Sequence, residues 1–290
     1  MDEAIVLERS GPVARLIMNR PEKHNALRFA DLDTLVARLH EAEDDDIKVI
    51  ILKGRGKSFC SGHDYDDAVK VYGLEKPSGS AGGKVGDGAK PRRPSQRSRL
   101  RTDRRLGENY MAFQYSAKPV IAQVHGACMG AGLYLVELVD LALASHDARL
   151  SHSSQRLGLA GNTWHLNTQI LMYGPKRARE LMLLGEEFDG RRAEAMGLVN
   201  RAVPEAELEP TVEAWAQRIA QHPRDALVTG KAMHNMALDS LGGSQQILRG
   251  TVGHTLGTNL RIEPDEFNFL RERGRSGTSG AFKKRDEQFE

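Results

Sequence analysis

The feature that most constrains this chain is a change of hydrophobic period part-way along it. In the first half, short apolar runs rich in β-branched residues alternate with amphipathic helical stretches. Residues 4–7, 13–18 and 49–52 read as strands, the first two joined by a Ser10-Gly11-Pro12 turn and the third preceded by a helical stretch over 26–42. Residues 119–124 form another such run, ending in His125-Gly126, and a helical stretch at 133–139 leads to a further apolar run at 141–144. Strands alternating with helices predict an α/β core, spiral or layered. From about residue 163 the period is helical throughout: 166–173, 176–184, 191–196, 208–221, 224–238 and a tail. The expected division is an α/β core over residues 1–200 and a C-terminal helical region over 201–290.

Bulk composition narrows the function classes. A chain of 290 residues can bury a sizeable core. Its 41 Lys and Arg nearly balance 39 Asp and Glu, for a net charge of +2, so no global field drives it onto nucleic acid or membrane. Any anion site must be local. No run reaches the roughly 18 apolar residues of a membrane span, since even 120–144 is broken by Gln123, His125, Glu137 and Asp140. Two cysteines, Cys60 and Cys128, make no disulfide framework, and the N-terminus lacks the basic start and apolar run of a signal peptide. These features predict a cytoplasmic location without membrane insertion. Residues 76–105 are poor in apolar side chains and dense in Gly, Ser, Pro and Arg. They read as a surface loop, either a solvated insertion or a basic lid over an anionic ligand.

Two Gly-rich turns, Lys57-Ser58-Phe59-Cys60-Ser61-Gly62-His63-Asp64 and His125-Gly126-Ala127-Cys128-Met129-Gly130-Ala131-Gly132, each follow a strand and precede a helix. Glycine lets such a backbone approach a ligand closely, and a helix N-terminus directs unpaired N–H groups at negative charge. Neither turn is a dinucleotide or phosphate-loop fingerprint.

Together with their neighbours these turns resemble the crotonase, or enoyl-CoA hydratase/isomerase, family. The resemblance runs in order through Asn19-Arg20-Pro21-Glu22-Lys23-His24-Asn25-Ala26-Leu27, both Gly-rich turns, Gly185-Glu186 through Ala193-Met196-Gly197-Leu198-Val199-Asn200, and Gly280-Ala281-Phe282-Lys283-Lys284-Arg285. It implies a crotonase-type ββα spiral core with a C-terminal helical trimerisation region, giving a homotrimer or a dimer of trimers. It implies an acyl-CoA substrate, with CoA as part of the thioester and no further cofactor or metal. The backbone N–H groups of His63 and Ala131 are the implied oxyanion donors. Lys23, Arg28, Ser61, Gly62, Asp64, Phe282 and Lys283 fall at the positions implied for CoA, the last two on a tail that the family lends to a neighbouring subunit. Residues 67–111, where the resemblance fails, are expected to line the acyl pocket.

The departures from the family concern chemistry. Its hydratases use two glutamates, and those positions hold Tyr134 and Ser154; a third carboxylate position used by some isomerases and dehalogenases holds Asn162. Hydration needs groups that exchange protons near neutral pH, which a phenol, an alcohol and an amide do poorly. The implied activity is therefore enoyl-CoA hydratase/isomerase-like chemistry, lyase or isomerase, with weak hydration. The alternatives are thioester hydrolysis, decarboxylation or carbon–carbon cleavage, or a catalytically silent acyl-CoA binder. His63, His152 and His165 are spare proton carriers. His152 and Ser154 could also form a nucleophilic pair, for which the sequence supplies no orienting third group. Glu137, on the helix beyond Tyr134, reads as a paired structural carboxylate.

Overall fold

The computed structural model describes residues 3–72, 94–152, 154–160, 164–258, 260, 262, 263 and 265–289. Strands β1 (Ile5–Ser10) and β2 (Val13–Met18) form an antiparallel hairpin. Helix α1 (Phe29–Glu41) then leads to β3 (Val49–Gly54), parallel to β2. After α2 (Tyr65–Val71) and α3 (Gln96–Tyr115) come β4 (Val120–Val124), the short β5 (Ala127–Met129), α4 (Ala131–Leu138), β6 (Leu141–Ser145) and β7 (Arg149–Ser151). Helices α5 (Leu166–Leu184) and α6 (Gly190–Met196) precede the last strand, β8 (Arg201–Val203). The chain closes with α7 (Glu205–Ala220), α8 (Arg224–Ser240), α9 (Gln245–Gly257) and α10 (Phe269–Asp286).

The main sheet has the order β1-β2-β3-β4-β6-β8, and β5 pairs with β7 in a second, parallel pair stacked beyond it in the chain's spiral. A mostly parallel sheet is buried on both faces, which is why its strands read as unbroken apolar runs. Ile50, Leu52, Val120 and Ala122 join the core that holds Leu32 and Leu35 of α1, Phe113 of α3 and Leu135 of α4. Val49, Ile51, Ile121 and Leu143 alternate with them and meet Leu208, Val212 and Ala216 of α7 on the other face. Each such side chain contributes roughly 1.5–3 kcal/mol on burial. Because β8 and α7 complete this sheet and its cover, the α/β core extends past residue 200.

The structure corrects the reading of residues 76–105 as one loop. Residues 96–105 lie on α3, N-capped by Ser95, whose side chain accepts from Ser98 N–H. The stretch looked solvated because its apolar stripe starts only at Leu106, while its buried positions before that are the charged pair Arg99 and Asp103. Residues 76–93 lie outside the described residues. Among the described residues no helix is long and apolar enough to cross a membrane.

Candidate functional site

Strands β3 and β4 run parallel, so the turns leaving their C-terminal ends lie side by side. They are laced together by hydrogen bonds from Phe59 N–H to His125 O (2.8 Å), Cys60 N–H to Ala127 O (3.0 Å) and Met129 N–H to Cys60 O (2.9 Å). Such close approach requires glycine. A Cβ at Gly126, whose φ is +54°, would sit 1.9 Å from Lys57 O, and one at Gly132 would sit 2.6 Å from Cys60 O. Gly62, at φ +107°, faces the Met129 carbonyl and the nitrogen of Ala131. His63 follows it and Ala131 opens α4, and both line one cavity of about 290 Å³. Among the described residues neither of their N–H groups donates to a backbone carbonyl, whereas on either side of His63 the Gly62 carbonyl and the Asp64 N–H both pair with Leu27. The arrangement leaves two backbone donors at one cavity, one of them at a helix N-terminus. Cys60 and Cys128 are buried beneath the turns as free thiols, and burial pushes the Cys60 thiol up to about 12.

The side chains around these donors are buried and held. The His63 ring stacks on Phe29, with centroids 5.3 Å apart, and its Nε2 lies 2.7 Å from the Tyr110 hydroxyl. Burial, with a smaller contribution from nearby His254, lowers its pKa to about 4, so the ring is neutral at neutral pH. Tyr134, one turn into α4, lines the cavity with Ser154; burial pushes its phenol up to about 12. Asn162 lies outside the described residues.

Behind Tyr134 stands Glu137, which accepts hydrogen bonds from His152 Nε2 (2.8 Å), His165 Nε2 (2.5 Å), Gln169 Nε2 (3.0 Å) and the Tyr173 hydroxyl (2.5 Å). Burial alone would raise its carboxyl, but the two histidines outweigh that and hold it far below the ordinary range. Neither Glu137 nor these four partners line the cavity. Glu137 anchors the rings of His152 and His165, which contact Tyr134 at centroid distances of 5.5 and 5.1 Å. The Ser154–His152 nucleophilic pair does not form: His152 gives Nε2 to Glu137 and leaves Nδ1 without a partner.

Of the positions implied for CoA, Ser61, Gly62 and Phe282 line the cavity. Phe282 lies on α10, which packs against α2 of its own chain. It meets Tyr65 and Phe269 at centroid distances of 5.4 and 4.9 Å, and an Arg273–Asp66 ion pair of 2.5 Å fastens α10 beside α2. Lys23 ends the 3₁₀ turn Pro21–Lys23 and is exposed, as is Lys283, whose Nζ is 3.9 Å from Glu287. Arg28 closes its fork on Asp31 at 2.9 and 2.6 Å. Asp64 caps α2 by accepting from Asp66 and Asp67 N–H and pairs with Arg20 at 3.1 Å. Arg28 and Asp64 therefore do structural work that sequence reasoning did not assign to them.

The remaining walls come from α2, α3 and α9, and include Tyr72, Arg99, Leu106, Trp164 and His254. Tyr72, Arg99 and Leu106 fall within residues 67–111, where the acyl pocket was expected, though none was named there, and Trp164 and His254 lie outside that stretch. The available signal was the four-residue spacing of Arg99 and Asp103, which suits an ion pair on a helix. Among the described residues no group of three or more His, Cys, Asp or Glu is placed to hold a metal ion.

Comparison with known proteins agrees with this architecture. The sequence profile of the enoyl-CoA hydratase/isomerase family matches residues 8–78 and 73–256. Over 273 residues the chain is 30% identical to a Rhodobacter capsulatus protein named "Probable enoyl-CoA hydratase", spanning 92% of this chain and 94% of that one. The crystal structure of an enoyl-CoA hydratase/isomerase from Xanthobacter autotrophicus Py2 aligns over the full length of both chains, with a TM-score of 0.84 at 26% identity. That of a probable enoyl-CoA hydratase from Mycobacterium smegmatis aligns over 88% of this chain and 93% of its own, with a TM-score of 0.75 at 30% identity. A match across both Gly-rich turns, the spiral sheet and most of the helical region leaves one assignment: the chain belongs to the enoyl-CoA hydratase/isomerase, or crotonase, family.

Proposed function

We propose that this protein is an acyl-CoA enzyme that holds the thioester carbonyl oxygen between the N–H groups of His63 and Ala131 and stabilises the enolate or oxyanion that forms there. The observation that carries the reading is the pair of laced turns, which leaves those two donors without carbonyl partners at one cavity. Each preorganised donor is typically worth about 3–4 kcal/mol of barrier, because it meets charge that develops only in the transition state. The helix dipole of α4 adds to the Ala131 donor.

Ordinary hydration fits the site poorly. Among the described residues lining the cavity, the one carboxylate is Glu187, and it is paired with Arg149 at 2.7 Å. Glu137, the carboxylate nearest Tyr134 in the chain, is enclosed by its four partners. The chemistry expected is that of a thioester enolate or acyl oxyanion with weak hydration: hydrolysis, decarboxylation or carbon–carbon cleavage. A silent acyl-CoA binder is the second reading, favoured by the high pKa of Tyr134, which makes it a poor base. Exposed Met233 and Met236 on α8 and Leu248 and Leu256 on α9 support assembly into a trimer or a dimer of trimers, since such apolar faces are normally covered. Light scattering that finds a stable monomer at micromolar concentration would exclude that assembly.

The test of the main reading is infrared spectroscopy of a thioester labelled with ¹³C at its carbonyl. On binding, the carbonyl stretch is expected to move to lower frequency, and Ala131→Pro, which removes one donor, is expected to reduce the shift. An unshifted carbonyl in the folded parent would exclude the oxyanion assignment. Turnover of a panel of thioesters then separates the enzyme from the silent binder.

A further inference from the structure

We propose that the acyl group this site accepts ends in a carboxylate, bound by Arg99 with His254 at the end of the cavity built by α2, α3 and α9. The inference deepens the thioester reading and rests on it. Tyr72, Arg99, Leu106, His254 and Thr258 all line the same cavity as the His63 and Ala131 donors. A wall made only to hold a hydrocarbon tail would be apolar, because an arginine taken out of water is costly unless its donors are met.

Arg99 is 8% exposed, yet its donors are only partly met. Its Nη2 reaches the Thr258 hydroxyl and lies 3.7 Å from Asp103 Oδ2, and its guanidinium covers the Tyr72 ring at 4.1 Å. Its Nε is buried without a partner, and among the described residues no acceptor meets Nη1. Guanidinium is a rigid fork of N–H groups whose natural counterpart is a carboxylate.

Asp103 does not fill that role, because it stands behind the wall and is already engaged. It is fully buried, does not line the cavity, and accepts hydrogen bonds from the Tyr72 hydroxyl at 2.9 Å and the Thr255 hydroxyl at 2.6 Å, with His254 Nδ1 3.2 Å away. Its negative charge offsets that of Arg99 from one side and fixes the orientation of its neighbours. The His254 ring is also stacked on Trp164, with centroids 4.6 Å apart. The wall therefore lines the cavity with a guanidinium and an imidazole, while its carboxylate stays behind them. A site built this way discriminates strongly against an analogue that lacks the polar group, which would leave buried donors unpaired.

The experiment compares, by calorimetry, linear dicarboxylic acid monothioesters from succinyl-CoA to sebacyl-CoA with methyl-ended acyl-CoAs of equal length, on the full chain. At the best-fitting length the carboxylate-ended ligand is expected to bind about ten to a hundred times more tightly, the range for one charge-assisted hydrogen bond or two. Arg99→Met should abolish that preference, so that the carboxylate-ended ligand binds no more tightly than the methyl-ended ligand of equal length. If Arg99→Met fails to fold because Asp103 is left unpaired, the double variant Arg99→Met/Asp103→Asn removes both charges and keeps the hydrogen bonds around residue 103. Equal affinity for the two series in the parent, or a preference unchanged in the variants, overturns this inference and leaves the thioester reading intact. Failure of every thioester to bind overturns both.

Discussion

Replacing the two residues at the family's glutamate positions gives the sharpest test of how this site handles protons. Tyr134 has a phenol pKa of about 12, so at neutral pH only about one molecule in 10⁵ holds it as a base. Ser154, which lines the same cavity, is no better. General acid and base groups are typically worth about 10²- to 10⁴-fold each, so a site lacking both is expected to hydrate an enoyl thioester about 10⁴- to 10⁸-fold more slowly than one that has them. The assay is the loss of absorbance of crotonyl-CoA, with Ser154→Glu and Tyr134→Glu made singly and together. Ser154 is half-buried, so a glutamate there should remain ionised and act as base. A glutamate at 134 would be buried one turn from the ionised Glu137, and burial and like charge would both raise its pKa, as suits an acid. Ser154→Glu should gain rate alone and the double variant should gain most. A parent that turned over at ordinary enzymatic rates, roughly 1–10³ per second, would refute the reasoning and point to His63, His152 or His165 as the proton carrier.

Three further outcomes test how the site is held together. Glu137→Gln should cost about 3–5 kcal/mol in denaturant unfolding at neutral pH, because it breaks a buried ionic cluster. Since the native pKa of Glu137 is depressed, its contribution is present above the unfolded carboxyl value of 4.5 and lost below it, so parent and variant should converge on acidification. His63 has a native pKa of about 4 against 6.5 unfolded, so the unfolded state takes up its proton first. Stability should therefore fall by about 3 kcal/mol between those two values as pH drops, and His63→Gln should remove that component from the measured profile. Gly126→Ala would place a Cβ 1.9 Å from Lys57 O at a positive φ. It should cost more than about 3 kcal/mol, read as a lowered melting temperature, and a variant as stable as the parent would contradict the lacing of the two turns.

What was legible in the sequence follows from how locally each feature is written. The strands β2, β3, β4 and β6 are buried on both faces, so their apolar runs announce them, and Gly174-Pro175 marks the kink that divides α5. The three-residue strands β5, β7 and β8 carry no periodic signal of that length. Helix α3 was missed because its first two turns bury Arg99 and Asp103, where a periodicity rule expects leucine. The Gly-rich turns were readable because both donors are backbone and their conformational demand falls on glycine. The acyl wall was not, because Asp103 and His254 meet across about 150 residues of chain, and only the docking of α9 on α3 brings them together. Glu137 was read correctly as paired, but its partners come from residues 152, 165, 169 and 173, positions that no local spacing connects to it.

The enclosure of Glu137 also bears on which thioester reaction the proposed site suits. An isomerase or hydratase takes a proton from carbon or from water, and so needs an ionised base facing the substrate. Here the charged carboxylate behind Tyr134 is turned away and serves to hold two histidine rings against the phenol, while the rings lining the cavity include neutral His63, Tyr134 and those of the Arg99 wall. When a carbon–carbon bond beside the thioester breaks, as in decarboxylation, the bond itself supplies the electron pair of the enolate. Loss of carbon dioxide then needs no base, and the demand on the protein falls to two backbone donors for the oxygen and one weak acid to return a proton to carbon. Tyr134, kept protonated by burial and packed against His152 and His165, is suited to that last step. Within the proposed range of activities, this favours decarboxylation over hydration on the residues that are present as well as on those that are missing.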